Sequence, residues 1–214
     1  TVNTTSANGV LVGDASLSVT STGPFASANG GTVRMASGGG FSYTPPPGVT
    51  GASSDSFSYT VNTGASATVT MTINGTPTWY VNNQAATGGN GTSTTPYDTL
   101  AAAATASSAG ETIYVFEGDG TSTGYNAGVT LKNTQKLLGQ GVDLVIGSTT
   151  LVTGSAGDRP LLRNATGTAV TLATGNEVAG IQIQNSLQGL GATTQGGTVS
   201  IHDMAFMNIT NEEI

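Results

Sequence analysis

Few residues in this chain are equipped for chemistry. Its 214 residues include twelve acids, five bases, one histidine and no cysteine. Thiolate metal sites and disulfides are therefore excluded, and the single His202 rules out a multi-histidine site. What remains is carboxylate chemistry, which needs paired or clustered acids, as general acid and base or as calcium ligands. From residue 76 onward the acids are Asp98, Glu111, Glu117, Asp119, Asp143, Asp158, Glu177, Asp203, Glu212 and Glu213. No two of them recur at a spacing that would stack them on one face, so no catalytic residue is assigned. Glu117-Gly-Asp119-Gly120 sets hard oxygen ligands on a glycine-rich turn, as calcium prefers. Asp14 with Asp55 is the other acid pair to weigh, and a solvated turn is the alternative in both cases. His202 beside Asp203 reads either as a base or as an exposed imidazole bonded to its neighbour. Trp79, Tyr80, Tyr97, Tyr114 and Tyr125 offer either a sugar-stacking platform or plain packing. Gly154-Ser-Ala-Gly157 lacks the spacing of a nucleophile elbow, and no phosphate-cradling glycine loop with its lysine occurs. Apart from calcium at these acids, no cofactor is expected.

The surface around these groups is hydroxyl and amide rather than ionic. Only 8% of residues are charged, against about 25% in an ordinary soluble domain, and glycine reaches 32 residues. A net charge of −7 opposes nucleic-acid and anionic-membrane partners, because phosphate binding needs clustered Lys and Arg. No apolar run approaches the length of a membrane span. The chain opens without Met or a leader, which points to a processed or an excised piece of a longer protein. Five Asn-x-Ser/Thr sequons, at Asn3, Asn74, Asn90, Asn164 and Asn208, would be glycan acceptors in a eukaryotic secretory host, whereas in a bacterium they reflect the abundance of Asn and Thr.

Two grammars position these residues. From Val2 to Asn74 apolar and small polar residues alternate, as in Thr32-Val-Arg-Met35, Phe41-Ser-Tyr43, Ser56-Phe-Ser-Tyr-Thr-Val61 and Ala67-Thr-Val-Thr-Met-Thr-Ile73. Period two means half-buried strands, and turn clusters such as Ser37-Gly-Gly-Gly40 and Pro45-Pro-Pro-Gly48 divide them at sandwich spacing. Six or seven antiparallel strands over residues 1–75 are expected. After a short Pro-containing joint, residues 76–214 read differently. Trp79-Tyr-Val81 and Thr112-Ile-Tyr-Val-Phe116 flank an Ala-rich helix over Thr99–Ala109, with Thr99 or Asp98 as its cap and Gly110 as its stop.

Short apolar strands then recur between Gly and Asn turns, Leu144-Val-Ile146 among them. Val129-Thr-Leu131 with Gly139 aligns with Val170-Thr-Leu172 with Gly180. Leu162 with Asn164 aligns with Ile183 and Asn185, then with Phe206 and Asn208. The latter offsets, 21 and 23 residues, each suit one coil of a solenoid. Leu162, Ile183 and Phe206 are expected to stack inside, and Asn164, Asn185 and Asn208 to form an amide ladder at a turn. The helix would cover the first coil, as terminal repeats require.

Both halves carry a resemblance. Gly40-Phe-Ser-Tyr-Thr-Pro45, Gly48-Val-Thr-Gly51 and Asp55-Ser-Phe-Ser-Tyr-Thr-Val61 resemble the signature of bacterial cadherin-like and immunoglobulin-like repeats in giant adhesins. Asn8-Gly-Val-Leu-Val-Gly-Asp14 resembles their first-strand region, with Gly13-Asp14 where those repeats carry Asn-Asp. Trp79-Tyr-Val81, Gly88-Gly-Asn-Gly91, Pro96-Tyr-Asp-Thr-Leu100, Gly110-Glu-Thr-Ile-Tyr-Val115 and Leu137-Leu-Gly-Gln-Gly141 resemble pectin-lyase-like right-handed parallel β-helices of large surface proteins. The expectation is an all-β chain: an antiparallel Ig-like sandwich, then the N-terminal coils of a β-helix capped by one short α-helix.

The resemblances imply a non-catalytic structural or adhesive module on the bacterial cell surface. Its partners would be neighbouring modules or subunits met head to tail, and surface carbohydrate. The alternative they imply is the N-terminal part of a polysaccharide lyase or hydrolase. The last coil, Val199–Ile209, leaves Met204 and Phe206 uncovered, so further coils or a head-to-tail contact are expected to cover it.

Overall fold

The computed structural model describes residues 2–49, 53–192 and 197–211. They fall into two compact units, Thr1–Thr76 and Pro77–Ile214. Thr50 and Gly51 of the adhesin-like signature, and Glu212 and Glu213, lie outside the described residues.

In the first unit the period-two runs become antiparallel strands. They are β1 (Val2–Asn3), β2 (Gly23–Ala26), β3 (Thr32–Met35), β4 (Phe41–Thr44), β5 (Ser53–Thr60) and β6 (Ser66–Ile73). The first four form one sheet in the order β1-β4-β3-β2, and β5 pairs β6 alone. Alternation sends Val33, Met35, Phe41, Tyr43 and Phe57 into one core together with Val19. Phe57 on the two-stranded sheet meets Phe41 on the other edge to face at 5.1 Å, a favoured aromatic geometry. Residues 8–14, read as a first-strand region, instead hold the last residue of a 3₁₀ turn (Ser6–Asn8) and the bend and turn that follow it. Val10 N–H bonds to Gly39 O in the turn between β3 and β4, and Asp14 N–H to Leu11 O, so the segment is a turn pinned to that loop instead of a ladder strand.

The second unit is built from parallel pairs. Its elements begin with β7 (Thr78–Val81), α1 (Leu100–Ala106), β8 (Thr112–Val115), β9 (Val129–Thr130), β10 (Lys136–Gly139), β11 (Leu144–Ile146) and β12 (Thr149–Val152). They continue with β13 (Leu161–Leu162), β14 (Thr168–Leu172), β15 (Glu177–Ala179), β16 (Gln182–Gln184), β17 (Gln188–Ala192), β18 (Ser200–His202) and β19 (Ala205–Met207). Three parallel ladders result, in the orders β7-β8-β10-β15-β18, β13-β16-β19 and β9-β14-β17. Register aligns Trp79, Ile113, Leu137, Val178 and Ile201 in one column. The first four of these lie in a core shared with Val170 and Ile183 from the other ladders.

Two sequence expectations change here. Leu144-Val-Ile146 is no ladder strand: β11 pairs antiparallel with β12 as an inserted hairpin. Its Leu144 packs with Tyr80, Tyr114, Leu138 and Ala179, the residues alternate to the core column, and so covers the far face of the five-stranded ladder. The insertion explains why Val129 pairs with Val170 across 41 residues, whereas uninterrupted rungs are 21 and 23 apart. Gly139 and Gly180 stand where the chain leaves this ladder, at the ends of β10 and β15. A Cβ on Gly139 would stand 2.3 Å from Gly180 O, so only glycine fits.

The helix also ends earlier than Gly110. Thr99 Oγ1 accepts from Ala102 N–H at 3.3 Å, the expected cap. At the other end Ser107 is extended, its hydroxyl takes Ala104 O, and Lys132 Nζ donates to the carbonyls of Ala104 and Ser107. A cation on the last carbonyls closes the helix at Ala106, and Gly110 serves the turn into β8.

Candidate functional site

The side chains placed most deliberately in this molecule are buried polar ones. In the first unit Asp55 is 2% exposed on β5. Tyr43 Oη donates to it at 2.8 Å and Ser27 Oγ to the same oxygen, while the N–H groups of Asn29 and Ser56 donate to the other at 2.9 and 2.7 Å. Burial pushes such a carboxyl up, but four donors outweigh it and hold Asp55 below the ordinary range. Burial and the facing carboxylate raise the Tyr43 hydroxyl, which keeps it a donor. Asp14, its partner in the sequence reading, is exposed and closes its own turn by accepting from Ser16 N–H and Oγ at 3.1 and 2.6 Å. Each acid of that pair is thus engaged separately, and donors converge on Asp55 where a cation would need free oxygens.

In the second unit the equivalent work is repeated at one corner. Glu111, Gln135 and Asn176 each immediately precede a strand of the five-stranded ladder and are 4%, 1% and 1% exposed. Each accepts, through its side chain, the N–H three residues before it: Ser108 to Glu111 at 2.7 Å, Lys132 to Gln135 at 3.0 Å and Ala173 to Asn176 at 2.6 Å. Each also reaches beyond its own turn. Glu111 receives Trp79 Nε1 at 2.6 Å, Gln135 donates to Ser107 Oγ at 2.8 Å, and Asn176 donates to the carbonyls of Lys132 and Gln135 at 2.7 and 3.0 Å. The residue before each, Gly110, Thr134 or Gly175, has a left-handed backbone that turns the chain into the next strand. The sequence reading missed this corner, although Gly-Glu-Thr-Ile, Thr-Gln-Lys-Leu and Gly-Asn-Glu-Val carry a common signal ahead of each strand.

The expected apolar column is in register: Leu162 pairs with Ile183 and Ile183 with Phe206. Leu162 and Ile183 are buried, whereas Phe206, on the terminal described rung, is 46% exposed. The amide ladder is shorter than expected. Asn208 Nδ2 donates to Asn185 Oδ1 at 3.1 Å, and both residues adopt the left-handed conformation that asparagine tolerates. Asn164 turns its amide to Thr168 O at 2.9 Å instead and leaves the stack at two.

Asp119 accepts from Asn83 Nδ2 at 2.6 Å and from Thr121 N–H and Oγ1 at 2.9 and 2.8 Å, which ties a surface loop and holds its carboxyl below the ordinary range. Glu117 donates its N–H to Gln140 Oε1 at 3.1 Å. Trp79, Tyr80, Tyr114 and Tyr125 are buried, with Tyr97 stacked on Trp79 at 6.0 Å, so these aromatics pack. His202 Nδ1 meets Asp203 Oδ2 at 2.7 Å and its Nε2 lies 3.5 Å from Glu177, which bridges to Lys136 at 2.6 Å. The cluster ties neighbouring rungs on an exposed face. Among the described residues no group of three or more acids and histidines could hold a metal ion, and no helix is long and apolar enough to cross a membrane.

Residues 1–76 match the family model of a bacterial Ig domain. No curated protein and no solved structure matches the chain. The molecule is all-β with an Ig-like domain at its N-terminal end.

Proposed function

We propose that this chain is a non-catalytic structural and adhesive module of a secreted bacterial surface protein, its Ig-like unit followed by the N-terminal coils of a right-handed parallel β-helix. The observation that carries this reading is where the polar side chains go. Glu111, Gln135, Asn176 and Asp55 are buried and bonded to the backbone or to hydroxyls, and Asp119 binds the loop that carries it. Groups so engaged stiffen turns and ladders; they do not turn over substrate. The bacterial Ig match supports a surface setting, and three parallel ladders in one repeating register support the coils.

Partners in this reading are neighbouring modules or subunits. They meet the β18–β19 end, where Ile201 and Phe206 continue core columns yet stay exposed. The β7 edge is already taken, with Tyr80 N–H bonded to Gly91 O and Tyr97 N–H to Tyr80 O. A strand edge covered by its own chain guards against uncontrolled stacking.

One cluster favours a second reading, the N-terminal part of a polysaccharide lyase or hydrolase: Lys136, Glu177, His202 and Asp203 gather acid, base and cation on one face. Incubating the full chain with uronic-acid polymers, and following unsaturated and reducing ends, separates the two. The module reading expects no release above buffer. Release that disappears in Glu177→Gln and His202→Ala would replace it with the enzyme.

A further inference from the structure

The N-terminal unit holds only three Asp, Glu, Lys or Arg side chains: Asp14, Arg34 and Asp55. Asp55 is buried among four donors and Asp14 closes a local turn. Arg34 is the exception, exposed on β3 between the inward-facing Val33 and Met35, its guanidinium making no hydrogen bond or ion pair to another described residue. An outward strand position in a unit otherwise faced with Ser and Thr needs no guanidinium to fold.

Register places Arg34 in a row across the four-stranded sheet, with Ser42 and Asn3 on one side and Pro24 on the other. Arg34, Ser42 and Asn3 line one side of an open groove of about 470 Å³ that Thr5 and Ser6 continue. One cation therefore stands beside hydroxyls and an amide, groups that both donate and accept, in a groove whose lining also includes Met35, Ala36 and Phe41. The guanidinium fork matches a carboxylate in bidentate fashion, and the flanking groups match sugar hydroxyls. An acidic peptide would use the fork as well, its backbone N–H and C=O groups meeting the same hydroxyls and amide, and poly-glutamate distinguishes the two. We propose that this groove binds an acidic saccharide, with Arg34 pairing a uronate carboxylate and Asn3 and Ser42 meeting ring hydroxyls. The inference rests on the adhesive half of the reading above. The chain's net charge of −7 opposes a polyanion at long range, so the contact is short-range and its strength comes from the fork.

The test uses the full chain on immobilised polygalacturonate, with neutral dextran and poly-glutamate as comparison surfaces. The wild-type chain is expected to bind polygalacturonate and neither of the others. Arg34→Ala is expected to lose about tenfold or more of the affinity, the size of one charge-assisted contact, while Arg34→Lys, which keeps charge without the fork, falls between. Thermal melting of both variants should match wild type. No binding, undiminished binding by Arg34→Ala, or equal binding to dextran would overturn the proposal. Arg34-dependent binding to poly-glutamate would reassign the groove to acidic peptides. None of these results bears on the release assay, so the module reading is tested separately.

Discussion

The two units solve one problem in opposite ways. Neither has a disulfide or many ion pairs, and each must hold its strands with uncharged donors and a few carbonyl-type acceptors. In the Ig-like unit a single carboxylate, Asp55, collects donors from the turn after β2, from β4 and from its own strand. In the parallel unit the work is divided, with Glu111, Gln135 and Asn176 each closing one turn and linking it to the rest of the unit. A node that joins non-repeating strands has no substitute, whereas a repeated device shares its load with the rungs on either side. Damage should therefore be collective in the first unit and graded in the second.

Asp55→Ala should have the largest effect. It strands Tyr43 Oη, Ser27 Oγ and two backbone N–H groups together, and should cost the Ig-like unit about 3 kcal/mol or more. Trp79, the lone tryptophan, lies in the parallel unit, so its fluorescence reports that unit alone, while circular dichroism reports both. The expected result is an early dichroism transition with the Trp79 transition unmoved. Acid should also weaken the Ig-like unit of the wild type, while Asp119 and Glu177 make the parallel unit acid-sensitive in its turn. A carboxyl held low in the folded state contributes fully above its unfolded value, near 4, and that contribution is lost as pH falls through the lower folded value.

Asn176→Ala addresses the other side. It removes the acceptor for Ala173 N–H and the donors to Lys132 and Gln135, and should lower the Trp79 transition by about 2 kcal/mol. The Ig-like transition should stay in place. A loss below about 0.5 kcal/mol would mean that the corner is dispensable, and the contrast between one node and a shared device would go with it.

How much of this was legible follows from the range of each interaction. Alternation predicted the antiparallel strands, because burial of every second residue is a local property, as in Thr32-Val-Arg-Met35. The offsets among Leu162, Ile183 and Phe206 predicted a register that the parallel pairs contain. Asp55 read as a cation ligand or a solvated turn residue, and not as a buried acceptor, because Ser27 and Tyr43 lie 28 and 12 residues away and nothing local marks them as its donors. Leu144-Val-Ile146 read as a rung because a hairpin strand and a ladder strand share one apolar pattern; only pairing distinguishes them. Asn164 read as a ladder amide because its alternative acceptor, Thr168 O, is a backbone atom that sequence does not display.

The repeat also contains its own flaw. Gly110 and Gly175 occupy the left-handed position before the corner residue, and Thr134 occupies it in the middle turn with φ 57°. A β-branched residue is strained there, while asparagine is tolerated, as at Asn185 and Asn208. Thr134→Asn should therefore raise the Trp79 transition by about 0.5–1 kcal/mol, with no change in the Ig-like unit. Destabilisation would show that the Thr134 hydroxyl, bonded to Asn133 O at 2.7 Å, matters more than the backbone strain.

The smallest effect separates the units by pH instead of by mutation. The Ig-like unit has no histidine; the parallel unit has His202, held above its ordinary value by the Asp203 carboxylate first, with burial opposing and Glu177 adding to the rise. A raised imidazole contributes stability that is complete below its unfolded value of about 6.5 and is lost as pH climbs through the higher folded value. The Trp79 midpoint should therefore decline slightly from pH 6 to 8, by a few tenths of a kcal/mol because the pair is exposed and screened. His202→Ala, or high salt, should flatten that decline while the Ig-like transition stays level throughout. A decline of equal size in both units would assign it to the net charge of the whole molecule, and the rung-to-rung role of His202 with Glu177 would fall.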